Sequence, residues 1–220
     1  MAIQIIGYGG VIADVDGSTY QALKVTQRPV DYTLRGSYRL SVATGTFSAV
    51  SYTNGSVFQF YWPSATETCL VWGVMLDFNG SSPAAGANQA KLWIVRSVTA
   101  NGTGGTTITV PGTQGNNQQL RTSMRPSLAS PILVSTTSAL NNGTWTQDST
   151  PLGSATFGEN ASGVNVSVLT QFKLYGTLAH RSEAPIVLGQ GEGLNVTVST
   201  PTGPTFVVGV TVAWSEVRYY

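Results

Sequence analysis

From Thr19 onward, hydrophobic and polar positions tend to alternate with a period of two, the pattern of half-buried strands. In Tyr38-Arg39-Leu40-Ser41-Val42 the large apolar residues fall on one side and the polar ones on the other. Gly45 marks a turn before Phe47-Ser48-Ala49-Val50-Ser51-Tyr52. The dipeptide Asn54-Gly55 supplies the positive-φ positions of a tight hairpin, which makes Val57-Phe58-Gln59-Phe60-Tyr61-Trp62 the return strand. Pro63 ends it by removing a ladder donor. Thr68 to Phe78 is almost continuously apolar, as a strand covered on both faces should be, and so belongs near a sheet centre. Lys91 to Val98 follows a Gly/Ser/Pro/Ala loop from Asn79 to Ala90. Ile132–Thr136, Val164–Leu169, Gln171–Tyr175, Leu194–Val198 and Phe206–Trp214 read as further strands, and no helical period is sustained.

About eight to ten strands with uneven connections fit two packed antiparallel sheets better than an evenly spaced meander. The expected fold is therefore all-β, a two-sheet antiparallel β-sandwich of jelly-roll type with long loops. The longest loop runs from Asn101 to Pro131, rich in glycine and carrying the amides Asn116-Asn117-Gln118-Gln119. An unstructured excursion of about thirty residues inside a compact domain is either functional or pinned by a neighbour. Residues 1–35 read as an N-terminal segment, an arm or first strands, and 36–220 as the sandwich domain.

Composition sharpens this picture. Of 220 residues only 10% are charged, against roughly a quarter in an average soluble protein, while 41% are hydrophobic. The polar share sits in 28 Thr, 22 Ser and 25 Gly, which favours strands and turns over helices. A formal net charge of +1 offers no broad cationic field, so neither nucleic acid nor an anionic membrane is an expected partner. The single cysteine, Cys69, lies in an apolar run and reads as a small buried hydrophobe. The opening residues are too short and too polar an apolar stretch for a secretory signal, and the run Leu70–Leu76 falls far short of the roughly 20 residues that span a bilayer.

Reactive chemistry is hard to assemble from these residues. The one histidine, His180, stands in a polar stretch before Pro185 and reads as a surface or turn residue, and no Gly-x-Ser-x-Gly elbow is present. Asp14-Val15-Asp16-Gly17 lacks the later ligands of a calcium loop. Gly189-Gln190-Gly191-Glu192-Gly193 is followed by strand alternation rather than the helix a dinucleotide loop needs. The acids Glu67, Asp77, Glu159, Glu192 and Glu216 form no recognisable pair in sequence, although distant strands can bring two acids together. No catalytic, cofactor-binding or metal-ligating residue is expected. Trp62, Trp72, Trp93 and Trp214 sit among large hydrophobes and read as core. Trp145, Tyr219 and Tyr220 are the aromatics placed for a surface contact, together with the loop amides Asn116, Asn117 and Gln118.

An ordered set of local patterns carries a resemblance. It runs through Gly36-Ser37-Tyr38-Arg39-Leu40, Thr44-Gly45-Thr46, the strand ending Phe60-Tyr61-Trp62, Leu92 to Thr99, Gly104-Gly105-Thr106 and Leu120-Arg121-Thr122-Ser123-Met124. It closes with Ala184 to Leu188, Glu192-Gly193-Leu194 and Val212 to Val217. Taken together these resemble the jelly-roll virion structural proteins of tailed bacteriophages, the head-associated and capsid decoration or cement proteins. Trp62 departs from the pattern, which has arginine there, so no charged role passes to that position. The resemblance implies a non-enzymatic component of the virion, made in the host cytoplasm and carried on the capsid surface. Its partners would be copies of itself, as a homotrimer, and the major capsid protein. Two other classes remain: a carbohydrate- or receptor-binding module on a tail or fibre, resting on Trp145 and the terminal tyrosines, and a glycan-cleaving enzyme, which requires two acids within about 10 Å in a cleft.

Overall fold

The computed structural model describes residues 36–48, 51–80, 87–108, 110, 117–119, 125–158, 170–176, 184–201 and 205–218. By its contacts the chain divides into two units, Met1–Asp31 and Tyr32–Tyr220. The first lies outside the described residues, and the fold below is that of the second.

All regular structure among the described residues is β. The strands are β1 (Ser37–Ala43), β2 (Phe47–Ser48), β3 (Tyr52–Trp62), β4 (Glu67–Gly80), β5 (Ala87–Ala100), β6 (Thr106–Ile108) and β7 (Asn117–Gln119). They continue with β8 (Ile132–Val134), β9 (Thr144–Gln147), β10 (Gly153–Gly158), β11 (Thr170–Gly176), β12 (Ile186–Leu188), β13 (Glu192–Thr200) and β14 (Thr205–Arg218). They form two seven-stranded sheets, the first ordered β11-β4-β14-β1-β7 with β12 on β4 and β2 on β14. The second is ordered β10-β5-β13-β3-β8-β6, with β9 on β5. Every pairing is antiparallel. The chain is thus an all-β, two-sheet antiparallel sandwich.

The order follows a simple rule among β1, β3, β4, β5, β10, β11, β13 and β14. The first pairs with the last (β1 with β14), the second with the seventh (β3 with β13), the third with the sixth (β4 with β11) and the fourth with the fifth (β5 with β10). This is the path of one long antiparallel hairpin whose successive pairs fall alternately in the two sheets. The contacts of β14 with β4 and of β13 with β5 join those pairs within each sheet. At one side the sheets meet closely: a Cβ on Gly153 of β10 would stand 2.0 Å from the carbonyl oxygen of Leu174 in β11, a distance only glycine tolerates.

Alternation explains the core. Tyr38, Leu40 and Val42 of β1, Val208, Val210, Val212 and Trp214 of β14 and Leu76 and Phe78 of β4 face inward, where they meet Phe58, Phe60, Leu92, Leu194 and Val196 of the second sheet. Trp214 stacks on Tyr38 at 5.4 Å and meets Phe60 edge-on at 5.2 Å, while Phe206 stacks between Phe47 and Phe78 at 4.9 and 5.3 Å. Such ring pairs add about 0.5–1.5 kcal/mol each beyond the area they bury.

Several sequence expectations need correction. Asn54-Gly55 is not a hairpin turn but lies inside β3, where Tyr52 pairs with Thr200 and Gly55 with Val198, so β3 carries one extra residue at this point and a second between Ser56 and Phe58. Asn54 has φ 55°, and this bulge uses the same positive-φ preference that a tight turn would. Of the four tryptophans assigned to the core only Trp62 and Trp214 join it. Trp93 is buried on the opposite face of β5 with its Nε1 donating to Thr197 Oγ1 at 2.9 Å, and half-buried Trp72 donates to Ser215 Oγ at 3.1 Å. The Asn101–Pro131 stretch contains β6 and β7, which add a strand to each sheet. The expected strand Val164–Leu169 and His180 lie outside the described residues.

Candidate functional site

The densest polar chemistry lies where β14 leaves the core. Val212, Trp214 and Glu216 share the inward face of that strand, so the alternation that buries a tryptophan also buries a carboxylate, and Glu216 is fully buried. Across the ladder Glu216 pairs with Cys69 and Arg218 with Glu67, which sets Glu67 two residues along the neighbouring strand. Arg125 donates to both Glu67 oxygens in a forked contact and, through Nη2, to Glu216 Oε2 at 3.1 Å. The other Glu216 oxygen accepts from Ser127 Oγ at 2.6 Å, the Leu128 amide at 3.0 Å and the Trp214 indole at 3.3 Å. Tyr38 Oη donates to the Arg125 carbonyl at 2.8 Å, and Trp62 Nε1 to that of Glu67 at 2.9 Å.

Burial pushes the Glu216 carboxyl above the ordinary carboxylate range, against the donors that favour its charge. Burial, with the nearby Glu216 charge adding to it, pushes the Tyr38 phenol up to about 12. Cys69, buried beside the same carboxylate, has its thiol pushed well up, which removes it as a nucleophile near neutral pH. The hydrogen bonds to Glu67 hold Arg125 firmly protonated.

Two of the acids that looked unpaired in sequence therefore do converge. Because both accept from one guanidinium nitrogen, their oxygens lie within about 6 Å of each other, the sum of two hydrogen-bond lengths. Glycoside cleavage needs one carboxyl free to protonate the leaving oxygen and another open to the sugar. Here an arginine stands between the two and the deeper acid is buried among four donors. What this arrangement does is hold a strap: Ser130 N donates to the Tyr61 carbonyl and Tyr61 N to that of Pro131, so residues 125–131 bind Glu216 in the first sheet and β3 in the second. Sequence reasoning missed Arg125 and Ser127. The available signal was Glu216 itself, an acid at a core-facing strand position, which demands a cation or several donors.

A second polar cluster lies under the segment that precedes and forms β9. Ser56 and Gln59 of β3 and Asn195 of β13 are buried on the face turned away from the core. Ser56 Oγ donates to Asn195 Oδ1 at 2.6 Å and Gln59 Nε2 to Asn142 Oδ1 at 2.9 Å, while the Leu140 amide donates to the Ser56 carbonyl at 2.8 Å. Gln59 Oε1 is buried without a hydrogen-bond partner.

Of the predicted contact residues, Trp145, Asn117 and Gln118 are described, and these three do not lie together. Trp145 lies in β9, half-buried, with its Nε1 buried and unpartnered. Asn117 and Gln118 lie in β7, paired with Leu40 and Arg39 of β1. That is the other sheet and the opposite side of the sandwich from β9. Asn116, Tyr219 and Tyr220 lie outside the described residues. Among the described residues no three His, Cys, Asp or Glu side chains are grouped to hold a metal, and no helix is long and apolar enough to cross a membrane. No protein-family model matches the chain. No curated protein matches it either.

Proposed function

We propose that this chain is a bacteriophage virion structural protein, a decoration or cement subunit that stabilises the capsid through non-covalent contacts. In this reading its copies group as a homotrimer at symmetry axes and rest on the major capsid protein at the capsid surface. The observation that carries it is the strand order: a long hairpin folded so that first pairs with last and fourth with fifth is consistent with the jelly-roll path that the ordered sequence resemblance implies. Since fold alone does not fix function, the surface has to agree. A chain with 10% charged residues and net charge +1 lets many copies stand side by side with little mutual repulsion. The most concentrated charge among the described residues, Glu67, Arg125 and Glu216, is turned inward to hold two sheets together rather than outward to a substrate.

Mass spectrometry of purified particles tests the proposal. Tens to hundreds of copies per virion are expected, as attachment by repeated contacts requires; absence from the particle would overturn it.

A further inference from the structure

The outward face of the first sheet carries a charge pattern that fits a second copy of itself. On that face Thr211 of β14 lies between Ser41 of β1 and Met75 of β4, its hydroxyl 2.9 Å from that of Ser41. Arg39 of β1 stands level with Ala213, and Asp77 of β4 level with Gly209. The two charges are therefore displaced equally and oppositely from Thr211, one strand to either side and two residues up or down. Arg39 is exposed and Asp77 half-exposed, and among the described residues neither makes an ion pair. Between them the face is small and neutral: Ser41, Ala43, Gly209 and Ala213, with half-exposed Met75 as the large apolar residue.

We propose that this face is a two-fold contact between copies of the chain. A two-fold axis lying in the contact plane and passing over Thr211 exchanges the Arg39 and Asp77 positions, so Arg39 of each copy meets Asp77 of the other and the pair forms twice, as an isologous interface requires. With strands about 4.8 Å apart and about 3.3 Å per residue, the two sites are about 16 Å apart in the sheet, far enough that like charges from the two copies do not meet. The small residues between them let the sheets approach to the usual separation of about 10 Å. The strands β11, β4, β14 and β1 run side by side over the five residues Gly209–Ala213 and offer about 320 Å² per copy, or about 630 Å² in all, the size of a small, transient contact. Such a contact is weak in dilute solution and fills where copies are concentrated, as on a surface that holds many of them. It joins copies in pairs, apart from any three-fold grouping, and does not depend on the virion reading.

Sedimentation equilibrium of the purified full chain, read against concentration, tests it. Wild type is expected to show a reversible monomer–dimer step with a Kd on the order of 10 µM, weakened by salt. Arg39→Asp alone, or Asp77→Arg alone, places like charges together twice and is expected to weaken the dimer at least tenfold. The double swap Arg39→Asp with Asp77→Arg restores the pairing and should recover most of the affinity, an outcome that misfolding of a single variant cannot imitate. A wild-type chain that stays monomeric to about 100 µM, single swaps without effect, or cross-links joining this face to residues 1–31 of the same chain would each overturn the contact.

Discussion

Arg125 shows how much depends on one side chain where the interior is charged. Replacing it with methionine keeps the length of the side chain but leaves Glu67 and fully buried Glu216 without their shared cation. Breaking a buried pair from one side costs about 3–5 kcal/mol, and because Arg125 is itself 38% exposed the lower end applies. Arg125→Met should lower unfolding free energy by about 3 kcal/mol in a urea titration. Glu216→Gln should cost less, since the amide oxygen still accepts from Ser127 and Leu128 and no charge has to be desolvated. Tyr38 adds a pH dependence with a definite sign. Its folded value is about 12 and the ordinary phenol value 10.0, so the folded protein holds the phenolic proton where the unfolded chain releases it. The resulting stability is complete below pH 10 and is lost as pH rises from there through 12, by about 2–3 kcal/mol. Tyr38→Phe should flatten the alkaline limb of a stability–pH curve between those values. Glu216 acts in the same direction at lower pH: its raised value means that stability falls as pH rises through the window just above the ordinary carboxylate range.

At the scale of the element, the bulge in β3 is set by two adjacent residues. Asn54 holds φ 55° and its Oδ1 accepts from Lys91 Nζ at 3.0 Å and Ser199 Oγ at 3.2 Å, while a Cβ on Gly55 would stand 2.6 Å from the Tyr52 ring. Asn54→Val puts a β-branched residue at positive φ and removes both bonds, and should cost about 2 kcal/mol in thermal or urea unfolding. Lys91→Met loses an exposed hydrogen bond and the contact of its ammonium with the Trp93 ring, 5.9 Å from the centroid, and should cost about 1 kcal/mol. The misreading of this site as a hairpin has a physical cause, because the dipeptide states a backbone preference and not the number of strands around it. The long strands were legible, β5, β13 and β14 because nine to fourteen residues leave room for the period of two to repeat, and β4 because its apolar run is nearly unbroken. The three-residue strands β6 and β7 were not, because Thr-Thr-Ile and Asn-Gln-Gln contain no full alternation and form against neighbours already in place. The ion cluster was hidden for another reason: Arg125 is 58 residues from Glu67 and 91 from Glu216, and only the folded ladder makes them adjacent.

For the whole molecule, the pairing of first strand with last makes folding a long-range problem. β14 lies between β1 and β4 at the centre of the first sheet, and its ladder with β1 joins Tyr38 to Trp214 across most of the chain. Loop-closure entropy must be met before such contacts form, so refolding should fall in the millisecond-to-second range of high-contact-order β proteins. Trp62 and Trp214, both buried in the core, give a fluorescence signal for stopped-flow measurement. The same topology predicts the effect of truncation. Ending the chain at Pro204 removes Phe206, Val208, Val210, Val212 and Trp214 from the core and leaves facing edges of β1 and β4 unpaired. Each large apolar residue lost is worth about 1.5–3 kcal/mol of burial, so five together remove about 7.5–15 kcal/mol, as much as the roughly 5–15 kcal/mol by which a domain is stable. The truncated chain should therefore show no cooperative unfolding transition by circular dichroism. A sharp transition would mean that the second sheet and the rest of the first stand without their central strand, and that the sandwich is less of a single cooperative unit than its interleaved pairing requires.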